Sequence, residues 1–150
     1  MLCLENTVSL ATPLMDVLKG LDGLLSEQLG GLAVQLQPIP GAVTVLQVSI
    51  EGREELPIFL TGSEHQILCI CYLWDEAQVR PERRTELLET LLDLNPSVPL
   101  SDFGRVGERY VLIGALRREA AVQDVAKELA VLSDNALDAL DALAEFLIEE

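Results

Sequence analysis

Residues 66–74 read Gln-Ile-Leu-Cys-Ile-Cys-Tyr-Leu-Trp, with eight apolar side chains in succession. As a β-strand, the run places Ile67, Cys69, Cys71 and Leu73 on one face and Leu68, Ile70, Tyr72 and Trp74 on the other. A strand apolar on both faces belongs in the middle of a sheet and needs cover on each side, from helices or from a second subunit. Neither this run nor any other approaches the ~20 apolar residues of a membrane-spanning helix. The chain must therefore build a sheet around this segment.

The flanking sequence supplies partners for it. Residues 32–37 alternate, with Leu32, Val34 and Leu36 on one side, and Pro38-Ile39-Pro40-Gly41 reads as a turn. Residues 43–50 are rich in β-branched side chains and end at Glu51-Gly52, and residues 56–60 form a third short run. Thr61-Gly62-Ser63-Glu64 is a hairpin connection into residues 66–74. Short turns between four strands imply an antiparallel meander. A further strand is expected at 110–116, where Gly114 marks a bulge or a close packing contact.

Helical periodicity appears in three places. In residues 7–29, Leu14, Val17, Leu18, Leu21, Leu24, Leu25 and Leu29 recur at steps of three and four. Thr7, Ser9 or Thr12 before Pro13 would start that helix, Gly20 and Gly23 weaken or break it, and Gly30-Gly31 ends it. Residues 80–94 carry Leu87, Leu88, Leu91, Leu92 and Leu94 and stop at Asn95-Pro96. Residues 95–108 read as a connector anchored by Leu100 and Phe103, with a tight turn at Gly104 and Gly107. The last helix, 121–147, has one stripe from Val122 through Leu129 and Leu132 to Leu140, Leu143 and Leu147, and Ser133-Asp134-Asn135 is expected to interrupt it. The expected architecture is a single α+β domain over residues 1–150. It is an antiparallel sheet of about five strands packed with three helices, in the order α-β-β-β-β-α-β-α.

Charge narrows the function. The 150 residues hold 25 Asp and Glu against 10 Lys and Arg, a net charge of −15. Such a chain repels phosphate backbones and anionic membrane surfaces, which argues against nucleic acid as its main partner. The charge is uneven, with seven Arg among the basic residues of 80–118 and Lys127 alone facing nine acids in 119–150. Two readings follow: pairing between these regions within or between subunits, or an acidic face that docks a basic partner. On the last helix, Asp124, Glu128, Asp138, Asp141 and Glu145 fall opposite the apolar stripe. Asp138, Asp141 and Glu145 are the candidate partner-binding residues.

Catalytic constellations do not emerge. Cys69 and Cys71 share a strand face with His65, so a metal or redox site can be drawn, but zinc pairs need a wider spacing and a fourth ligand. Cys3 makes the count odd, and the first residues lack the basic stretch of a secretory signal, so no disulfide framework is expected. Packing is the simpler role for the strand cysteines. Gly104-Arg105-Val106-Gly107 lacks the Lys-Ser/Thr pair of a phosphate loop. No cofactor and no metal is expected, and the expected compartment is the cytoplasm.

The order of elements is similar to that of class I type III secretion chaperones and YbjN-like bacterial proteins, which are small, acidic and typically dimeric. Individual segments resemble the YjfI family of bacterial proteins. They are Leu56-Pro57-Ile58-Phe59, Gln66-Ile67-Leu68 with Tyr72-Leu73-Trp74, Leu91-Leu92-Asp93-Leu94-Asn95 with Val98-Pro99-Leu100-Ser101-Asp102-Phe103-Gly104, Tyr110-Val111-Leu112-Ile113-Gly114-Ala115-Leu116, and Glu128-Leu129-Ala130-Val131-Leu132-Ser133-Asp134-Asn135. The likeness spans residues 30–145 and brings no catalytic residue with it. Ala120-Ala121 stands where typical members carry Ser near the start of the last helix. The resemblance implies an association with PspA-type membrane-stress proteins. The expected function is thus a non-enzymatic, homodimeric protein-binding adaptor of an envelope-stress system, with a PspA-like coiled coil as partner. The alternatives are a chaperone holding a secreted substrate, and a metal or redox protein using Cys69 and Cys71.

Overall fold

The structure is a computed structural model that describes residues 18–43 and 45–149. Its elements are α1 (Leu21–Gln28), β1 (Val34–Ile39), β2 (Val45–Ile50), β3 (Ile58–Gly62), β4 (Gln66–Asp75), α2 (Arg84–Leu94), β5 (Asp102–Val106), β6 (Arg109–Arg117) and α3 (Val122–Ala142). The strands form one antiparallel sheet in the order β1-β2-β3-β4-β6-β5. The apolar run of β4 lies inside it, between β3 and β6, as its composition requires. None of the described helices is long and apolar enough to cross a membrane.

The described sheet of six strands fits the expected antiparallel sheet of about five, and the additional strand, β5, lies in part of the expected connector. This strand has five residues, includes Gly104 and Arg105, and lies at the sheet edge, so it carries no alternating apolar run to betray it. It hairpins to β6 through Gly107-Glu108, with Gly107 at φ 61°, where a residue without Cβ is favoured. At the opposite edge, β1 runs through Pro38 and Ile39, which were expected in a turn. An edge strand tolerates proline because its outward N–H has no ladder partner to lose.

A bulge reorganises β4. Tyr72 pairs with Val111 but Trp74 pairs with Tyr110, so Leu73 is the extra residue. The alternation expected from the sequence holds as far as Tyr72 and then inverts. Trp74 joins Ile67, Cys69 and Cys71 among the buried residues and stacks on Tyr110 with ring centroids 5.7 Å apart.

One core lies on that side of the sheet. Leu46, Val48, Ile50, Ile58, Leu60 and Leu112 meet Leu21 and Leu25 of α1, Leu87 and Leu91 of α2, and Val125, Leu129, Leu132 and Ala136 of α3. All three described helices contribute to it, so the first and last helices do not cover opposite faces.

Helix boundaries follow local chemistry. Gly20, at φ 85°, precedes α1 in the left-handed conformation, so the described helix begins after it. Gly31 N–H closes its other end on Ser26 O at 2.8 Å. Cys3, Thr7, Ser9, Thr12, Pro13, Leu14 and Val17 lie outside the described residues. Helix α2 starts four residues later than expected, after a 3-10 turn at Pro81–Arg83. Ala121 occupies the N-cap of α3 without a side-chain hydrogen bond.

Ser133-Asp134-Asn135 does not interrupt α3. Arg53 donates to Ser133 Oγ and Asp134 Oδ1, both at 2.9 Å, and the Asn135 amide donates to Pro99 O at 2.9 Å and Ser101 Oγ at 2.8 Å. These tertiary ties outweigh a few tenths of a kcal/mol of poor helix propensity per residue. The helix ends at Ala142, short of the expected 147, and Leu147 instead forms an isolated bridge with Val79.

Most of the Arg-rich middle is tied within the chain. Glu76 accepts from Arg84 Nε at 3.0 Å, Arg105 at 2.8 Å and the Tyr110 hydroxyl at 2.9 Å, linking α2, β5 and β6. The hydrogen bond from Arg84 is the chief cause that holds the Glu76 carboxyl below its ordinary 4.5. A lowered folded-state pKa stabilises the fold above the ordinary value, and that contribution is lost as pH falls below it. Glu76→Gln is expected to lower the melting temperature at pH 7 by about 3 °C. The difference from the parent should shrink in melts recorded progressively below pH 4.5.

Candidate protein-binding surfaces

The sheet face opposite the core carries Phe59, Leu68, Ile70, Tyr72, Val111 and Ile113, none of which belongs to the helix-covered core. Val111 is buried among its neighbours and the others are partly exposed. Phe59 and Tyr72 meet edge to face with centroids 5.8 Å apart, and the Arg109 guanidinium lies 4.1 Å over the Tyr72 ring. By strand register, Gln35, Gln37, Gln47, Ser49 and Gln66 surround this apolar centre. Arg109 and Arg117 of β6 also face this side, and the register places only Asp75 and Asp102 among its acids. Asp75 is already paired with Arg109 at 3.2 Å. No described helix lies on this face.

The acidic surface is built differently from its expected form. Asp138 and Asp141 are exposed on α3, but Glu145 lies beyond the helix end, in the 3-10 turn Ala144–Phe146. Arg83 approaches the Glu145 carboxylate at 3.7 Å, donates to its carbonyl at 3.3 Å, and lies 4.4 Å over the Phe146 ring. Glu145 is thus partly engaged within the chain, whereas Asp138 and Asp141 have no ion-pair partner among the described residues. Glu149 is exposed, and Glu150 is outside the described residues.

Glu128, expected on the solvated face of α3, is buried. A Cβ on Gly114 would stand 2.8 Å from Glu128 Oε2, so the glycine in β6 provides the room for this carboxyl. Gly114 is therefore the close packing contact of the two alternatives its position suggested, and it was the one sequence signal for a large group arriving there. Oε2 has no hydrogen-bond partner among the described residues, and burial pushes the carboxyl above its ordinary pKa.

The cysteine–histidine set does not assemble. His65 is in the exposed turn between β3 and β4, with its nearest charged neighbour, Glu64, at 3.9 Å. Cys69 and Cys71 are fully buried free thiols, and Cys71 contacts Leu56 O at 3.8 Å. Burial pushes both to about 12, with the Glu128 charge adding at Cys69. No cluster of potential metal ligands occurs among the described residues.

One apolar cleft adjoins the acidic surface. It has a volume of about 230 Å³ between α3 and the segment from Leu94 to Phe103, and Asp138 is at its rim.

This two-layer arrangement, with the three described helices on one face of an antiparallel sheet, is the α+β fold of type III secretion chaperones and YbjN. The structure resembles the ExsC–ExsE complex with a TM-score of 0.56 at 13% identity, covering 83% of this chain and 94% of that one. It resembles YbjN, described as a putative transcription regulator from E. coli, with a TM-score of 0.55 at 16% identity, covering 89% and 99%. The heterodimeric ExoU–SpcU complex of the Pseudomonas aeruginosa type III secretion system gives 0.50 at 19% identity, covering 84% and 96%. The chain belongs to the DUF2170 family, described as an uncharacterised protein conserved in bacteria, whose model matches residues 17–147. No curated protein matches its sequence.

The buried Glu128 carboxyl yields a signed expectation. A raised folded-state pKa means that the group costs nothing at low pH and destabilises the fold increasingly as pH rises above the ordinary 4.5. Glu128→Gln is expected to raise the melting temperature at pH 7 by about 2–5 °C. The advantage should disappear in melts near pH 4.

Proposed function

We propose that this chain is a YjfI-like member of its family and acts in the cytoplasm as a non-enzymatic, homodimeric protein-binding adaptor. The observation that carries the reading is the apolar sheet face around Phe59, Leu68, Ile70, Tyr72 and Ile113, with no described helix on it. A second copy is its proposed occupant. Two chains of net charge −15 repel over most of their surfaces and approach at least cost where acids are fewest, and this face also offers Arg109 and Arg117.

The proposed partner is a polypeptide with a basic segment, such as a PspA-like coiled coil, docking at Asp138, Asp141 and Glu145. The fields of these carboxylates add within a Debye length of ~8 Å, which favours encounter with a cationic strand or helix. The likeness to the ExsC–ExsE and ExoU–SpcU complexes supports protein binding in general, and favours a second reading in which the client is a secreted protein. The metal or redox alternative has no support in the positions of His65, Cys69 and Cys71.

Light scattering at micromolar concentration is expected to give twice the chain mass of 16.4 kDa. An Ile70→Lys variant should then run as a monomer. A monomeric parent protein would remove the dimer from the reading.

Titration against a PspA-type coiled coil should show affinity falling as salt rises. Neutralising Asp138, Asp141 and Glu145 to Asn, Asn and Gln should weaken binding about tenfold, flatten the salt dependence and leave the melting temperature nearly unchanged. Binding indifferent to both salt and the substitutions would place the partner elsewhere.

A further inference from the structure

We infer that the cleft beside Asp138 receives a single apolar side chain of the partner's basic segment, so that the docking motif is a Leu, Met or Phe flanked by Lys or Arg. The inference rests on the acidic-surface reading above and adds what the bound segment must contain.

The cleft is apolar and already shaped. Leu94, Val98, Pro99, Phe103, Ala139 and Leu143 form most of its lining. Its walls are fixed from behind by hydrogen bonds. The Asn95 side chain accepts the Phe103 N–H at 2.7 Å, and the Asn135 amide spans Pro99 O and Ser101 Oγ. These groups are spent on one another, so they hold the walls in place and offer little to a polar ligand. A preformed site loses less entropy on binding than one that must be ordered.

Size and charge select the occupant. At about 230 Å³ the cleft is smaller than the ~300–1,000 Å³ of typical small-molecule sites, and suits one side chain carried by a larger molecule. Asp138 is the only ionisable residue in the lining, it is exposed, and it has no ion-pair partner among the described residues. Asp141 lies three residues along the same helix, also exposed. The apolar side chain that enters must therefore arrive on a cationic carrier. A second copy of this chain, at net −15, is the wrong carrier for this rim, and that separates the cleft from the sheet face.

The test uses two fluorescein-labelled synthetic peptides. One has a central Leu between paired lysines, and the other has Ser in place of that Leu. Anisotropy titrations with the full-length protein at low salt are expected to show the Leu peptide binding about tenfold tighter, as burial of one apolar side chain would give. Ala142→Phe and Ser97→Phe each put a bulky group into the cleft from an exposed lining position. Each is expected to bring the Leu peptide down to the affinity of the Ser peptide while leaving the Ser peptide unchanged. Asp138→Asn combined with Asp141→Asn should weaken both peptides. Equal binding of the two peptides, or a Leu preference that survives both filling variants, would overturn the cleft assignment. If the double Asn variant still weakened both peptides, the acidic-surface reading would stand without the cleft. Failure of either peptide to bind, or indifference to the double Asn variant, would overturn both.

Discussion

A sheet strand that is apolar on both faces needs two covers, and the described helices supply one. All three lie on the side of β4 that carries Ile67, Cys69, Cys71 and, after the bulge, Trp74. Burial of that side at ~25 cal/mol per Å² is the main force organising the domain. The other side keeps Leu68, Ile70 and Tyr72 beside Phe59 and Ile113, with polar neighbours at its margins. The imbalance between one filled face and one apolar open face gives the protein its clearest reason to associate.

Electrostatics then divides the surface. Arg83, Arg84, Arg105 and Arg109 pair with acids of their own chain, so much of the Arg-rich middle is consumed in holding strands and turns together, while Arg53, from outside that region, ties α3 at Asp134. Exposed pairs of this kind contribute little each, but the Glu76 site joins three elements at one carboxylate. Among the α3 acids without an ion-pair partner in the described residues, Asp138 stands beside an apolar cleft and Asp141 lies three residues further along the helix. A dimer through the sheet and a basic client at α3 would use separate surfaces, so both could be engaged at once.

Much of the fold was legible because apolar periodicity and turn chemistry are local signals. The central place of β4, the four-strand meander, the helix that ends before Asn95-Pro96 and the long amphipathic last helix all follow from such patterns. The elements that escaped are those without a local signal. Strand β5 is a short, half-exposed edge with glycine and arginine inside it, and the end of α3 is set by the bridge of Leu147 to Val79. Of the candidate site, Asp138 and Asp141 were legible as solvated helix positions. Glu145 was not, since the helix ends at Ala142 and Glu145 falls in the following turn, where Arg83 reaches it.

By itself the sequence determined an acidic α+β chain with an antiparallel sheet around residues 66–74, because composition and period depend on each residue's own chemistry. Only the tertiary structure decided which side of the sheet the helices take, that Leu73 bulges and turns Trp74 inward, and that Ser133-Asp134-Asn135 stays helical under Arg53 and the Pro99–Ser101 loop. It also decided that Glu128 is buried against Gly114 while Asp138 is left at the mouth of a cleft. Each of these depends on contacts between residues far apart in the chain, and such contacts leave no periodic trace in the segments that make them.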